Sequence, residues 1–216
     1  MDSIQLFGPF CSGTNLLTKI LESNVNEKYN IHNQGHTHIW KHTVRYKHLD
    51  NCVNTHKNTL FICLYKPLYH WIESMKKASY DIKWNKDITT PCDFRSSGRH
   101  WKNIIEIYNT YYLNYSKLIE KYNNVICINY YKLLDINTVT QYINNKLKPF
   151  NLQLNSNNSI AIILNKPSKT HGKSVKHAGE ALTKKIKLEK QLENTDEKQL
   201  MDSMVDNSIV PFFNKQ

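Results

Sequence analysis

Apolar residues gather in three short runs that read as strands. Ser3–Phe7 (SIQLF) reads as a short strand, and Asn58–Tyr65 (NTLFICLY) and Asn124–Asn129 (NVICIN) show little polar alternation, as expected of strands covered on both faces. Between them the spacing turns helical. Leu16, Leu17, Ile20 and Leu21 predict a helix over Thr14–Glu22, and Trp71, Ile72 and Met75 predict one over Tyr69–Ser79, after Pro67 has ended the preceding strand. The broadest stripe passes through Trp101, Ile104, Tyr108, Tyr111, Tyr115 and Tyr122 and predicts a helix over Arg99–Tyr122. Asp135 reads as the N-cap of a helix to about Lys146, and Asp196–Met204 as a short amphipathic helix. Asp81–Gly98 is polar, carries Pro91, Ser96, Ser97 and Gly98, and reads as a long loop or lid. Gln153–Asn158 reads as a polar connector, and Lys166–Lys190 is rich in lysine.

Strands alternating with helices predict one α/β domain over 1–216, a three-layer sandwich around a mainly parallel central sheet. The 216 residues carry a formal net charge of +11. That balance points to an anionic ligand or partner: nucleic acid, a polyanionic surface, or a phosphorylated small molecule. The abundance of Asn, Lys, Ile and Tyr resembles the product of an AT-rich genome, which weakens any inference from lysine alone. The cysteines (Cys11, Cys52, Cys63, Cys92, Cys127) are odd in number and form no C-x-x-C, so reduced thiols and a cytoplasmic setting are expected. No apolar run reaches transmembrane length, and no basic-then-apolar leader stands at the N-terminus.

Three stretches could carry chemistry. Phe7–Leu17 (FGPFCSGTNLL) lies between a strand and a helix. Gly8 and Gly13 have the spacing of a phosphate loop, but Thr14-Asn15 stands where a nucleotidase carries Lys followed by Ser or Thr. Such a turn aims backbone N–H groups at one point, the helix N-terminus adds partial positive charge, and Ser12, Thr14 and Asn15 add side-chain donors. The plain alternative is an ordinary turn. The stretch from Gly35 to His42 (GHTHIWKH) clusters His36, His38, Lys41 and His42. A histidine suits proton removal from a hydroxyl, and a neighbouring lysine can neutralise developing charge. H-x-H with a third histidine is also a metal-ligand pattern, but no carboxylate or cysteine pattern adjoins it, and a solvated polar loop is the plain alternative. In Leu64–Ser74 (LYKPLYHWIES), Lys66 leaves a strand end and Ser74 lies eight residues on. Ligands gather at the carboxyl ends of strands in open α/β sheets, so this pair could grip a second phosphate. A solvated lysine and a helix-surface serine are the plain reading.

Taken together these stretches resemble the P-loop sulfotransferase family. The core Cys11-Ser12-Gly13-Thr14-Asn15 is similar to its 5′-phosphosulfate loop, most of all to a microbial and viral branch with a G-x-x-C-S-G-T-N loop. That branch also has a K-H pair, matched by Lys41-His42, and a strand ending in Arg or Lys with W-x-x-S in the next helix, matched by Lys66 and Trp71–Ser74. The resemblance covers roughly residues 3 to 134 and implies a P-loop NTPase-like sulfotransferase fold. It implies a donor, 3′-phosphoadenosine 5′-phosphosulfate, a hydroxyl or amine acceptor such as a glycan or small metabolite, no metal, and a cytoplasmic protein (host cytoplasm if viral). It implies His42 as base, Lys41 as charge stabiliser, Gly8, Cys11, Ser12, Gly13, Thr14 and Asn15 around the 5′-phosphosulfate, and Lys66, Ser74 and Lys173 at the 3′-phosphate.

The chain departs from the family in places. Cys11 stands where the loop usually has a basic residue, and the C-terminal R-K-G segment has only His171-Gly172-Lys173 as counterpart. Three other readings remain: a P-loop kinase, which lacks a loop lysine and an acidic strand end; a basic nucleic-acid binder, which lacks a recognised module; and a degenerate family member that binds donor without transferring sulfate.

Overall fold

The computed structural model describes residues 1–25, 29–32, 38–155, 157–165, 168–169, 175–176 and 195–215. The central sheet has four parallel strands: β1 (Ser3–Phe7), β2 (Asn30–His32), β3 (Thr59–Tyr65) and β7 (Val125–Asn129), in the order β2-β1-β3-β7. In register, Phe7 lies beside Cys63 and Cys63 beside Cys127. These thiols neighbour each other across the strands and stay unlinked, and all five cysteines are free.

Alternation along the strands builds two cores. Phe7, Phe61, Cys63, Tyr65 and Cys127 face one side. There they meet α2 (Tyr46–Thr55), α3 (Leu68–Lys77), α4 (Ile104–Lys121) and the C-terminal α8 (Ile209–Lys215). Ile4, Leu6, Leu60, Ile62, Leu64 and Ile128 face the other side, against α1 (Thr14–Asn24), α5 (Val139–Leu147) and α6 (Asn157–Asn165). The result is three layers, helices–sheet–helices, as the uninterrupted apolar strands require. Helix α8 closes the first core by stacking Phe213 on Tyr65, ring centroids 4.8 Å apart. A helix α7 (Asp196–Met204) precedes it, and a short antiparallel pair, β8 (Ser168–Lys169) and β9 (Val175–Lys176), lies in the lysine-rich stretch. No helix among the described residues is long and apolar enough to cross a membrane.

Several expectations are corrected. Asp81–Gly98 is not a free loop. It contributes β4 (Ile82–Lys83) and β5 (Cys92–Phe94), which pair antiparallel with β6 (Arg99–Trp101). Burial of Ile82, Ile88, Cys92 and Phe94 anchors it, apolar positions too widely spaced to show a period. Arg99–Trp101 therefore belongs to a strand, and the long helix starts at Ile104. Asn103 sets that start: its side chain accepts from Glu106 N at 2.9 Å, while Glu106 Oε2 accepts from Lys102 N at 2.7 Å, a reciprocal cap. Asp135 is not the cap of α5. Its carboxylate accepts from Asn137 N and Thr138 Oγ1, folding an Asx turn that delays the helix to Val139, with Thr138 as N-cap. The connector read over Gln153–Asn158 gives way to α6 at Asn157.

Candidate functional site

Strand β1 ends at Phe7, and Gly8–Gly13 carries the chain into α1. The two glycines are required for different reasons. A Cβ on Gly8 would collide with Ser12 Oγ and press on Thr14 Cγ2. Gly13 has φ +96°, and a Cβ there would enter the ring of Tyr130. Cys11 also takes a left-handed conformation, with φ 60°. Left-handed steps of this kind turn successive N–H groups inward, the geometry of an anion-holding nest. Helix α1 has Gly13 as N-cap, no side-chain cap and no acidic residue in its first turn. Its positive end therefore stays available to an external anion. Ser12 Oγ lies within the curve of the loop, 1% exposed as a residue, with no hydrogen-bond partner among the described residues.

The lysine absent from the loop has a counterpart from the segment that follows β2. Lys41 is buried, and its Nζ donates to Asn15 Oδ1 in the first turn of α1 at 2.8 Å. Its carbonyl accepts from Gly8 N at 3.0 Å, which fastens the segment to the loop. Burial lowers the Lys41 ammonium to about 8.

His42 is 9% exposed, and its Nδ1 lies 2.6 Å from Gly8 O. A carbonyl accepts only, so Nδ1 carries the proton and Nε2 the lone pair. Burial pushes the imidazole down to about 4, with the Gly8 bond raising it in part and Lys41 lowering it further, so the ring is neutral at pH 7. Tyr111 OH donates to the His42 carbonyl at 2.6 Å, and the Phe10 ring covers the imidazole at 4.3 Å between centroids.

Lys66 follows the last residue of β3. Its Nζ donates to Cys11 O and to Ser74 Oγ, both at 2.8 Å, and lies 4.7 Å from the centre of the Tyr130 ring. The residue is 2% exposed. These partners are all neutral, and no carboxylate lies within ion-pair distance of Lys66 among the described residues. Burial lowers its ammonium to about 8, against a raising influence from Cys11 and a lowering one from Lys77. Two tyrosines hold the backbone: Tyr112 OH accepts from Lys66 N at 3.0 Å, and Tyr108 OH donates to Lys66 O at 3.1 Å.

The sheet order explains why these groups meet. From β1 the chain steps outward to β2, then crosses back to β3 on the other side of β1. The gap between the carboxyl ends of β1 and β3 is thus a topological switch point, where open α/β sheets bind ligands. Gly8, Cys11, Ser12, Gly13, Thr14, Asn15, Lys41, His42, Lys66 and Ser74 share this edge. Lys173 and His36 lie outside the described residues. His38 is elsewhere: its ring stacks on His56 at 3.6 Å and meets Thr59 at the start of β3, the opposite edge of the sheet. It does not share the edge that carries His42.

A small cavity of about 90 Å³ adjoins His42, lined by Trp40, Arg45, Phe94 and Ser97 among others. Asp81–Gly98 thus contributes to its wall, as a strand and turn. Sequence reasoning missed Tyr130, which roofs Gly13 and Lys66, and the anchoring tyrosines. The anchoring tyrosines had one signal, tyrosine where leucine would fill a helix stripe, because a buried phenol needs a partner; Tyr130, in the turn after β7, had none. Among the described residues, no group of three or more His, Cys, Asp or Glu could hold a metal ion. Comparison with protein-family models, curated proteins and solved structures finds no match to this chain.

Proposed function

We propose that this protein is a sulfotransferase of the P-loop kind, using 3′-phosphoadenosine 5′-phosphosulfate as donor and a hydroxyl group as acceptor. The observation that supports the reading most is Lys66. Among the described residues it is a buried ammonium with neutral partners only, bonded to Ser74 and to the backbone of the glycine loop. A buried cation without a counter-charge is costly, and a phosphate beside it removes that cost. The uncapped start of α1, the unpartnered Ser12 hydroxyl and Lys41 offer a second anion position one loop away. Two anion positions at one sheet edge suit a donor carrying two separate phosphate groups.

In this reading the loop amides, Ser12, Thr14 and Asn15 hold the 5′-phosphosulfate, and Lys66 and Ser74 the 3′-phosphate. The acceptor oxygen bonds to sulfur as the sulfur–oxygen bond to the 5′-phosphate breaks. His42 Nε2 takes the acceptor proton, and the bisphosphate leaves with the bond's electron pair. Lys41 and the loop amides offset charge on the departing phosphate. The negative donor raises the basicity of His42, which burial and Lys41 hold low in the empty protein. Cys11, in place of a basic loop residue, favours a second reading in which donor is bound and not turned over.

A thermal-shift series tests the proposal. The bisphosphate product should raise the melting temperature in a concentration-dependent way, as any ligand selective for the native state must. ATP with magnesium should not. The reverse pattern would favour a kinase.

A further inference from the structure

Four polar side chains of α4, Tyr108, Tyr111, Tyr112 and Asn114, hold the backbone of both halves of the site. Tyr111 OH donates to His42 O at 2.6 Å, and Asn114 Nδ2 donates to Val44 O at 2.8 Å. Tyr112 OH accepts from Lys66 N, and Tyr108 OH donates to Lys66 O. All of these side chains are buried.

Helical spacing sorts these anchors. Each residue of a helix turns by about 100°, so Asn114, Tyr111, Tyr108 and Tyr112 follow one another across one broad face. The first two reach the segment after β2, and the last two reach the end of β3. The helix that carries them is 18 residues long and begins at the reciprocal cap of Asn103 and Glu106, so the fan stands on a rigid rod. His42 is thereby fixed from two sides, its ring against Gly8 O and its carbonyl against Tyr111. Lys66 is fixed likewise, its ammonium against Cys11 O and Ser74 and its backbone against Tyr108 and Tyr112. Tyr115 lies on the same face and is as deeply buried, yet its OH has no hydrogen-bond partner among the described residues. A buried phenol on this helix is therefore not by itself an anchor.

We propose that α4 is the positioning element of the site: Tyr111 and Asn114 set the place of His42, Tyr108 and Tyr112 set that of Lys66, and the rod between them fixes the span from base to 3′-phosphate. The inference rests on the sulfotransferase reading above. Transfer needs the acceptor oxygen, the sulfur and the leaving oxygen in line. The donor is held at Lys66, while the acceptor proton is taken at His42. A misplacement of about 1 Å between the two costs on the order of a hundredfold in rate. The phenols touch no reacting atom and act through the backbone of the residues they hold, so they are positioning residues. Tyrosine suits the task because its rigid ring crosses the apolar core and its hydroxyl still reaches a backbone group on the far side.

The test compares Tyr111→Phe, Tyr108→Phe combined with Tyr112→Phe, and Tyr115→Phe with the wild type. Ring-nitrogen NMR of His42 at pH 7 in the ligand-free protein reads its tautomer, calorimetry reads affinity for the bisphosphate, and melting curves report folding. Wild-type His42 should show the Nδ1–H tautomer alone. Tyr111→Phe should show a mixture with the Nε2–H form, because the hold on Gly8 O loosens, and should bind the bisphosphate within about twofold of wild type. The combined variant should keep the single tautomer and lose about fivefold or more in bisphosphate affinity. Tyr115→Phe should change neither. Asn114→Leu repeats the first arm at a second anchor and should mix the tautomers to a smaller extent. Loss of stability alone, with tautomer and affinity as in the wild type, would overturn the inference. So would effects that do not sort by anchor, or that Tyr115→Phe reproduces. Failure of the bisphosphate to bind wild-type protein would instead overturn the reading on which it rests, and the tautomer still tests the hold of Tyr111 on His42.

Discussion

Lys66 Nζ and Ser74 Oγ lie 2.8 Å apart, joining the end of β3 to the second turn of α3. The eight-residue interval between them is what a strand end, Pro67 and two helical turns need to bring the side chains face to face. Lys66→Met keeps the length of the side chain and removes the charge. Without ligand this variant should melt no lower than the wild type, because a buried cation has been replaced by an apolar group. Its affinity for the bisphosphate should fall at least tenfold, since charge-assisted hydrogen bonds contribute about 1.5–3 kcal/mol. Ser74→Ala should show a smaller loss. Calorimetry and a melting curve on each variant separate the two effects.

The same buried ammonium sets a pH dependence. Lys66 sits at about 8 in the folded protein, below its ordinary value of 10.5. Between those pH values the unfolded chain binds the proton that the native chain has released, so stability rises with pH across that window. The gain approaches roughly 3 kcal/mol for this group. Urea melts at pH 7.5 and pH 10 should show the wild type gaining more than Lys66→Met.

His42 gives the acid counterpart. Its folded value of about 4 lies below the ordinary 6.5, so stability drops as pH falls from 6.5 to 4. Bound bisphosphate should move the imidazole upward, because new negative charge favours the protonated ring. An NMR titration of the ring protons, with and without the bisphosphate, reads this directly. His42→Ala should bind the bisphosphate within a few-fold of wild type and lose transfer to any acceptor.

Gly13→Ala should destabilise the protein by more than the left-handed backbone cost of about 1–2 kcal/mol, because the methyl group also meets the Tyr130 ring. Adding Tyr130→Ala should relieve the overlap and leave the backbone cost. Chemical denaturation of the single and double variants resolves the two contributions.

Much of this was legible in the chain. β1 and the strand cores of β3 and β7 were plain because their residues are buried on both faces and interrupt the helical periodicity. The glycine loop was plain because strand, turn and helix follow in order. Lys41 and Lys66 were legible as charges beside that loop, but their burial was not. The burial of Lys66 depends in part on Tyr130, which arrives from beyond β7. Helix α2 was hidden because only Leu49, Cys52 and Val53 of its residues are buried, too few to make a stripe. The β4–β5–β6 sheet was hidden because its strands are two or three residues long. Gln5 gives no sign in the sequence of the part it plays. Its amide donates to Ile39 O at 2.7 Å and accepts from His38 N at 3.1 Å, pinning the segment that leads to Lys41 and His42.

The C-terminal helix should matter to the whole fold. Phe213→Ala removes a ring packed on Tyr65 and Tyr112 and should cost about 3–5 kcal/mol. A denaturation midpoint within error of wild type would contradict the packing of α8.

The most direct test of the central claim is calorimetric titration of the unmodified protein with 3′-phosphoadenosine 5′-phosphate, and separately with ATP and magnesium. The account predicts one site of micromolar affinity for the bisphosphate, abolished or strongly weakened in Lys66→Met, and no binding of ATP with magnesium. Binding of ATP-magnesium alone, or bisphosphate binding that survives Lys66→Met unchanged, would contradict it.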